Sequence, residues 1–307
     1  MDLAVWSAAL FTVLAQMSVG AFIVLGVFNV IGHLRYPNRV KNRLADPALY
    51  AIGPTIFVAM LAALPHVLRP LPRFNQAIFT PETILGTIFG ILGFLFAIAQ
   101  WKRISAARVR WLFAFVVAAV GIVFVAVMAH TYVAQNNPMW PGFTTPVQFF
   151  LTAIISGMLA VSFAFALYPW LRENQTYRRL VEKDPDGTSA LLDAEVNRLL
   201  SSSIRVIGFI SIGLIVVELV MLIFNALLGT YPRSMPIPML IITAVLLLAG
   251  IGFDTAAITS VPKLGSSVLK PTARTLRSLL YVGATLALVW TALFIDRLYY
   301  FYAGIGQ

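Results

Sequence analysis

His66, Arg69, Arg73, Asn75 and Glu82 crowd one short stretch between two apolar runs. His130 closes a later apolar run, Glu218 lies inside another, and the neighbours Asp296 and Arg297 stand near the end of the last. These residue types suit proton-coupled chemistry. An imidazole, with an ordinary pKa of about 6.5, gains and loses a proton near neutrality. Carboxylates pass protons on, and guanidinium groups stay charged and donate to an oxygen that gains negative charge.

Other chemistries are excluded by what the sequence lacks. With no cysteine, it cannot form disulfides, ligate zinc or iron–sulfur clusters through thiolates, or use a thiolate nucleophile. No GxxxxGK[ST] loop cradles a phosphate, no HExxH pair offers zinc ligands and no GxSxG elbow presents a serine. We therefore expect no metal site. Three histidines are too few for two bis-histidine haems, while one haem between His66 and His130 stays open.

Such residues need elements to hold them. The 307-residue chain is 60% hydrophobic and only 11% charged, with a mean hydropathy of +0.87. Soluble domains carry about 25% charged residues. Runs of eighteen or more apolar residues recur throughout, which makes the bilayer the solvent. Eight transmembrane helices are expected at about 5–32, 48–66, 83–101, 109–132, 146–171, 203–229, 236–260 and 277–302, in a single all-α membrane domain over 1–307. A β-barrel would instead show alternating segments of about ten residues.

The net charge of +10 reports topology and not nucleic acid. Eighteen of the 22 Lys and Arg residues fall in the first, third, fifth and seventh loops, and three in the even loops. This split places the odd loops in the cytoplasm and both termini in the periplasm. Met1-Asp2 has no basic n-region, so the first span is expected to be an uncleaved anchor. The cytoplasmic loop 172–202 carries the turn Asp184-Pro185-Asp186-Gly187, then Leu191, Leu192, Val196, Leu199 and Leu200 at helical spacing. That spacing predicts a short amphipathic helix on the membrane surface or a helical solvated linker. Small residues such as Gly20, Ala21, Ser156, Gly157, Gly250 and Gly252 are expected to let helices approach closely.

With this orientation, nearly every unusual polar residue collects in the outer leaflet. An ionisable group inside a span costs a few kcal/mol, about 2.5–3.5 on insertion scales, and is a functional candidate by default. The outer group combines a titratable base, carboxylates and guanidiniums at a depth that a bilayer amphiphile reaches. Asp296 and Arg297 are adjacent and cannot face each other, so each needs its own partner. Glu218 is either part of that site or a structural residue held by a serine. His33 caps the first helix at the other end, and Asp254 is expected to pair with a neighbouring helix or reach the interface.

The stretches Phe11-Thr12-Val13-Leu14-Ala15-Gln16, Gly20-Ala21-Phe22-Ile23-Val24-Leu25, Pro65-His66 through Arg69-Pro70 to Arg73-Phe74-Asn75, Thr145-Pro146 with Phe149-Phe150-Leu151-Thr152, and Ile295-Asp296-Arg297 resemble, in order and spacing, the membrane-anchor subunit family of dimethyl sulfoxide reductase. The likeness runs along the whole sequence. It implies a haem-free bundle of eight spans in the bacterial cytoplasmic (inner) membrane that exchanges electrons with menaquinone or ubiquinone. It also implies two partners, an iron–sulfur subunit and a molybdopterin catalytic subunit. His66 matches the family's key histidine, Glu82 the acid that opens the third span, and Arg297 a late arginine. Pro72 occupies the place of a family arginine with Arg73 beside it. Leu68 replaces a usual glycine, and Leu293 a common glutamate, with Asp296 one turn away.

The resemblance thus implies His66, Glu82 and Arg73 as catalytic groups. It implies a quinone site drawn from His66, Arg69, Arg73, Asn75, His130, Glu218, Asp296 and Arg297. Quinol oxidation that feeds a dimethyl sulfoxide reductase-type enzyme is the expected direction. A sulfite dehydrogenase-type complex, in which the same anchor delivers electrons to quinone, is the alternative. A secondary transporter is the competing class, but transporters gather charge at the midplane and show inverted repeats, neither of which is evident here.

Overall fold

The computed structural model describes residues 3–35, 45–67, 80–102, 104–134, 142–180, 188–227, 236–261 and 273–305. Among them the protein is all helix: α1 (Leu3–Arg35), α2 (Ala45–Val67), α3 (Pro81–Trp101), α4 (Ala107–Val133), α5 (Thr144–Leu180), α6 (Thr188–Leu227), α7 (Ile237–Ser260) and α8 (Ala273–Ile305). All eight contain a stretch long and apolar enough to cross a membrane, at the places the hydropathy predicts. Helices suit this sequence because a backbone in hydrocarbon must satisfy its polar groups internally. The few polar side chains follow the same rule: the hydroxyls of Ser18, Thr55, Ser156 and Thr285 each donate to the carbonyl one turn back.

Consecutive helices alternate in direction, and their contacts define two rings. α1, α2, α3 and α4 pack in cyclic order, as do α5, α6, α7 and α8. The rings meet along α1 and α5, with α8 also reaching α1, and α4 and α2 reaching α5. Consequently α1 and α5 are buried along most of their lengths, while α3, α6 and α7 turn residues such as Phe94, Phe209 and Ile241 outward. An apolar outer face is what lipid requires.

The α1–α5 seam depends on two glycines. A Cβ on Gly20 would run into the carbonyl of Ala153, and one on Gly157 would run into the backbone of Gly20 and Ala21. Backbones this close admit no side chain, the small-residue packing expected at these two positions. Gly250 likewise lies against Val289 of α8, whereas Gly252 has open space at its Cβ.

Residues 188–202 are helical, as their spacing predicts, but they are the opening turns of α6 and not a separate element. Val196, Leu199 and Leu200 are buried in the main core. This part of the stripe read as membrane-facing is covered by the bundle, because the helix enters its span without a break, while the side chains of Leu191 and Leu192 lie outside the described residues. The turn signal 184–187 lies outside the described residues.

The end at which α1 begins is called the upper end below. Ser7 of α1 donates to the carbonyl of Ala62 in α2 at 2.7 Å, and the Tyr300 hydroxyl of α8 donates to Thr145 at the start of α5 at 3.2 Å. At the lower end Gln100 of α3 donates to Asp46 of α2 (2.9 Å), and Arg110 of α4 donates to Gln100 (2.9 Å) and to the Ser105 carbonyl (2.5 Å). This staple ties three helices of the first ring where their connecting loops begin.

Candidate functional site

The polar interior of the upper end is built around Arg297. Its residue is 1% exposed, and its guanidinium carbon lies 4.0 Å from the centre of the Phe149 ring and 5.1 Å from that of Tyr300. Stacking of this kind stabilises a desolvated cation by about 2 kcal/mol or more. Nη2 donates to Thr152 Oγ1 at 3.3 Å, while Nε and Nη1 have no partner. A buried donor left unmade costs about 1–3 kcal/mol, and more when charged, so these N–H groups favour an acceptor oxygen.

The surrounding residues come from both rings. Thr145, Phe149 and Thr152 lie on one face of α5 at helical spacing, and Arg297 and Tyr300 on one face of α8. Tyr132 of α4 completes an aromatic group, its ring centre 5.7 Å from Phe149, 6.2 Å from Tyr300 and 5.1 Å from Phe301. Its hydroxyl hydrogen-bonds Thr12 of α1 and lies within electrostatic reach of Glu82 and Arg297. One turn below Thr12, the buried Gln16 amide donates to Met128 Sδ at 3.8 Å and its Oε1 has no partner.

Glu82 occupies the first turn of α3, where Thr80 caps the helix by accepting from the Thr83 N–H at 3.3 Å. A helix N-terminus is a favourable place for a carboxylate. On the other side of the cluster, Glu218 of α6 is 5% exposed, interacts electrostatically with Asp296 and Arg297, and leaves Oε2 without a partner. Arg297 donates to Thr152 of α5, and both Asp296 and Arg297 lie within electrostatic reach of Glu218 on α6.

Among the described residues, Asp296 and Arg297 thus lie within electrostatic reach of Glu218, and Glu82 approaches this group only by way of Tyr132. His130 is exposed and stands apart from it, since the inward position at the end of α4 belongs to Tyr132. His66 stands on the last turn of α2, at the same upper end, with its side chain outside the described residues. Arg69, Arg73 and Asn75 also lie outside them. Asp254 pairs with a neighbouring helix, where Ser211 of α6 donates to its carboxylate.

Thr12, Gln16, Tyr132, Phe149, Thr152 and Tyr300 are the residues that a search for ionisable groups misses. A signal did exist, because Thr12 and Gln16 share a helix face, as do Thr145, Phe149 and Thr152. What could not be read was that these faces point at each other.

Part of this sequence is similar to known proteins. A family model described as DMSO reductase anchor subunit (DmsC) matches residues 1–178. An anaerobic dimethyl sulfoxide reductase subunit of Escherichia coli (strain K12) is 29% identical over 163 residues, 50% of this protein and 55% of that one. An anaerobic dimethyl sulfoxide reductase subunit of Haemophilus influenzae (strain ATCC 51907 / DSM 11121 / KW20 / Rd) is 28% identical over 172 residues, 54% of this protein and 60% of that one. The match thus spans a little over half the length of these curated relatives. No solved structure matches. The family match includes Thr12, Gln16, Glu82, Tyr132, Phe149 and Thr152 and ends before Glu218, Asp296 and Arg297. Eight helices able to span a bilayer, together with a family model that covers more than half the sequence, make this an integral membrane protein of the DMSO reductase anchor subunit family.

Proposed function

We propose that the protein anchors a molybdopterin oxidoreductase to the bacterial inner membrane and oxidises quinol at the upper end of its bundle. The electrons pass to an iron–sulfur partner subunit that feeds a dimethyl sulfoxide reductase-type catalytic subunit. The observation that carries the quinone reading is Arg297, a buried, ring-stacked guanidinium with two unpartnered donor nitrogens. A quinone headgroup is planar, apolar on its faces and bears acceptor oxygens, which fits a site of aromatic rings and free N–H groups.

Quinol oxidation releases two electrons and two protons. His66, at the same end of the bundle, accepts a proton near neutrality, and Glu82 in the first turn of α3 passes it outward. Arg297 and Arg73 stabilise negative charge on the headgroup oxygen, where low dielectric strengthens the interaction. Arg69 and Asn75 lie in the same loop as Arg73 and orient the ring. The electrons leave through the partner's cluster, since this protein has no cysteine to ligate one.

The excess of Lys and Arg in the loops at the lower end makes the upper end periplasmic. Both termini and the partner subunits then lie on that side, and a proteolysis experiment that finds the catalytic subunit protected inside spheroplasts would defeat this placement. The test of function is His66→Ala in the assembled complex. Turnover with an artificial soluble donor survives while quinol-dependent turnover falls by about a hundredfold or more. Normal quinol turnover in that variant refutes the reading.

A further inference from the structure

We infer that Gln16 of α1 is the contact that selects the reduced headgroup: its Oε1 accepts a hydrogen bond from a quinol hydroxyl, which an oxidised quinone cannot give. The inference rests on the proposed quinol chemistry and deepens it, from a site that binds a headgroup to one that tells its two redox states apart.

The first observation is burial without a partner. Gln16 is 0% exposed, and its Oε1 meets no hydrogen-bond donor among the described residues. A buried polar atom left unpaired is disfavoured, so this oxygen favours a ligand that donates. The second observation fixes which end of the amide is left over. Nε2 faces Met128 Sδ of α4 at 3.8 Å. A thioether sulfur carries no hydrogen and only accepts, so the NH2 end turns to it and the carbonyl end stays unpaired.

The third observation is position. Thr12 stands one turn above Gln16 on α1, Tyr132 stands one turn above Met128 on α4, and the Tyr132 hydroxyl hydrogen-bonds Thr12. Two rungs therefore join α1 to α4, and the upper one ends in the aromatic group. The Tyr132 ring centre lies 5.7 Å from that of Phe149, on which the Arg297 guanidinium stacks at 4.0 Å. Gly20, one turn below Gln16, meets Ala153, one turn below Phe149, which sets Gln16 level with the part of α5 that holds Arg297. An unpaired acceptor thus approaches the aromatic group from α1, and the unpaired Nε and Nη1 of Arg297 approach it from α8.

A ligand that satisfies both must donate at one end and accept at the other. A quinol does so, with one O–H on Gln16 and a lone pair of its second oxygen on Arg297. A quinone carries carbonyl oxygens at both ends, which suits Arg297 but sets lone pair against lone pair at Gln16. The substrate is therefore held and the product released. Gln16 accepts a hydrogen bond and takes no proton; the protons leave through His66 and Glu82 and the electrons through the partner's cluster, as proposed above.

The test uses the whole complex in membranes. Gln16→Met replaces the amide by an apolar chain of similar length. KM for quinol rises about tenfold, while inhibition by the oxidised quinone is no weaker and turnover with a soluble donor is normal. Met128→Leu conserves volume and removes only the sulfur that orients the amide, so it weakens the preference for quinol in the same direction, by about threefold. A packing role for either side chain predicts no such change in preference. If Gln16→Met does not assemble, Met128→Leu decides alone. Wild-type KM and wild-type quinone inhibition in the assembled variants overturn the inference, which is also the result if a buried water donates to Oε1 in place of the ligand. Equal weakening of quinol and quinone overturns it too, since Gln16 then holds the headgroup in either state. His66→Ala stays a separate arm: normal quinol turnover there refutes the quinone reading itself, whereas its collapse beside an unaltered Gln16→Met refutes this inference alone.

Discussion

Gly157→Ala is the sharpest test of how the site is held together, since it adds one methyl group that meets backbone and leaves every ionisable side chain in place. A Cβ there would stand 2.5 Å from Gly20 Cα and nearer still to the Gly20 carbonyl carbon and the Ala21 nitrogen. These are backbone atoms, so no side chain can swing aside. Carbon atoms rest at about 3.5–4.0 Å from one another, so α1 and α5 must part by about 1 Å. Above this contact, α1 carries Thr12, which meets Tyr132, and α5 carries Phe149 and Thr152, which hold Arg297. Parting the helices therefore separates the first-ring half of the site from the second-ring half.

A displacement of about 1 Å at a reacting centre lowers turnover by about a hundredfold. Overpacking destabilises by about 1–3 kcal/mol. Replacing a helical glycine by alanine offsets about 1 kcal/mol of that. The assay is quinol-dependent turnover of the complex in membranes, divided by its turnover with a soluble donor so that assembly cancels. Gly213→Ala is the control, since a Cβ there meets nothing within 4 Å. If Gly157→Ala turns over quinol as fast as Gly213→Ala, the α1–α5 spacing does not position the site, and the reasoning fails.

Two further outcomes separate roles within the polar residues. Arg297→Lys keeps a positive charge but loses the planar fork and its stacking on Phe149, so quinol turnover is expected to drop by about a hundredfold with the complex assembled. An active lysine variant, measured the same way, would show that charge alone suffices there. Ser211→Ala removes the side-chain donor to the buried Asp254 and is expected to reduce stability by about 1–3 kcal/mol, seen as a lower midpoint of thermal unfolding in detergent. Quinol turnover should stay normal, and its collapse would make Asp254 part of the proton chemistry and not a lock between α6 and α7.

Hydropathy alone located all eight spans, because a bilayer permits a run of about twenty apolar residues little besides a helix. The run entering α6 was legible as a helix but not as a buried one. Its leucines show a periodic stripe, and a stripe has the same period whether lipid or protein covers it. Glu82, Glu218, Asp296 and Arg297 stood out because charge inside a span is expensive. Their neighbours did not, since a threonine, a glutamine or a tyrosine in a span is ordinary until its partner is known. His130 and Tyr132 show the difference: both stand at the end of one span, yet the inward position belongs to the tyrosine and the histidine is exposed.

Residue order by itself thus determined the helices, their alternation and the end of the bundle at which charge collects, all of which follow from local hydropathy and from the distribution of Lys and Arg. Only the tertiary structure decided which faces meet. The near contact of Gly20 and Gly157 sets the distance between the two rings, and Arg297 crosses from α8 to the α5 residues Thr152 and Phe149. The physical reason is that helix packing is settled by shape and by polar pairing between residues more than a hundred positions apart in sequence, and no local pattern encodes that complementarity.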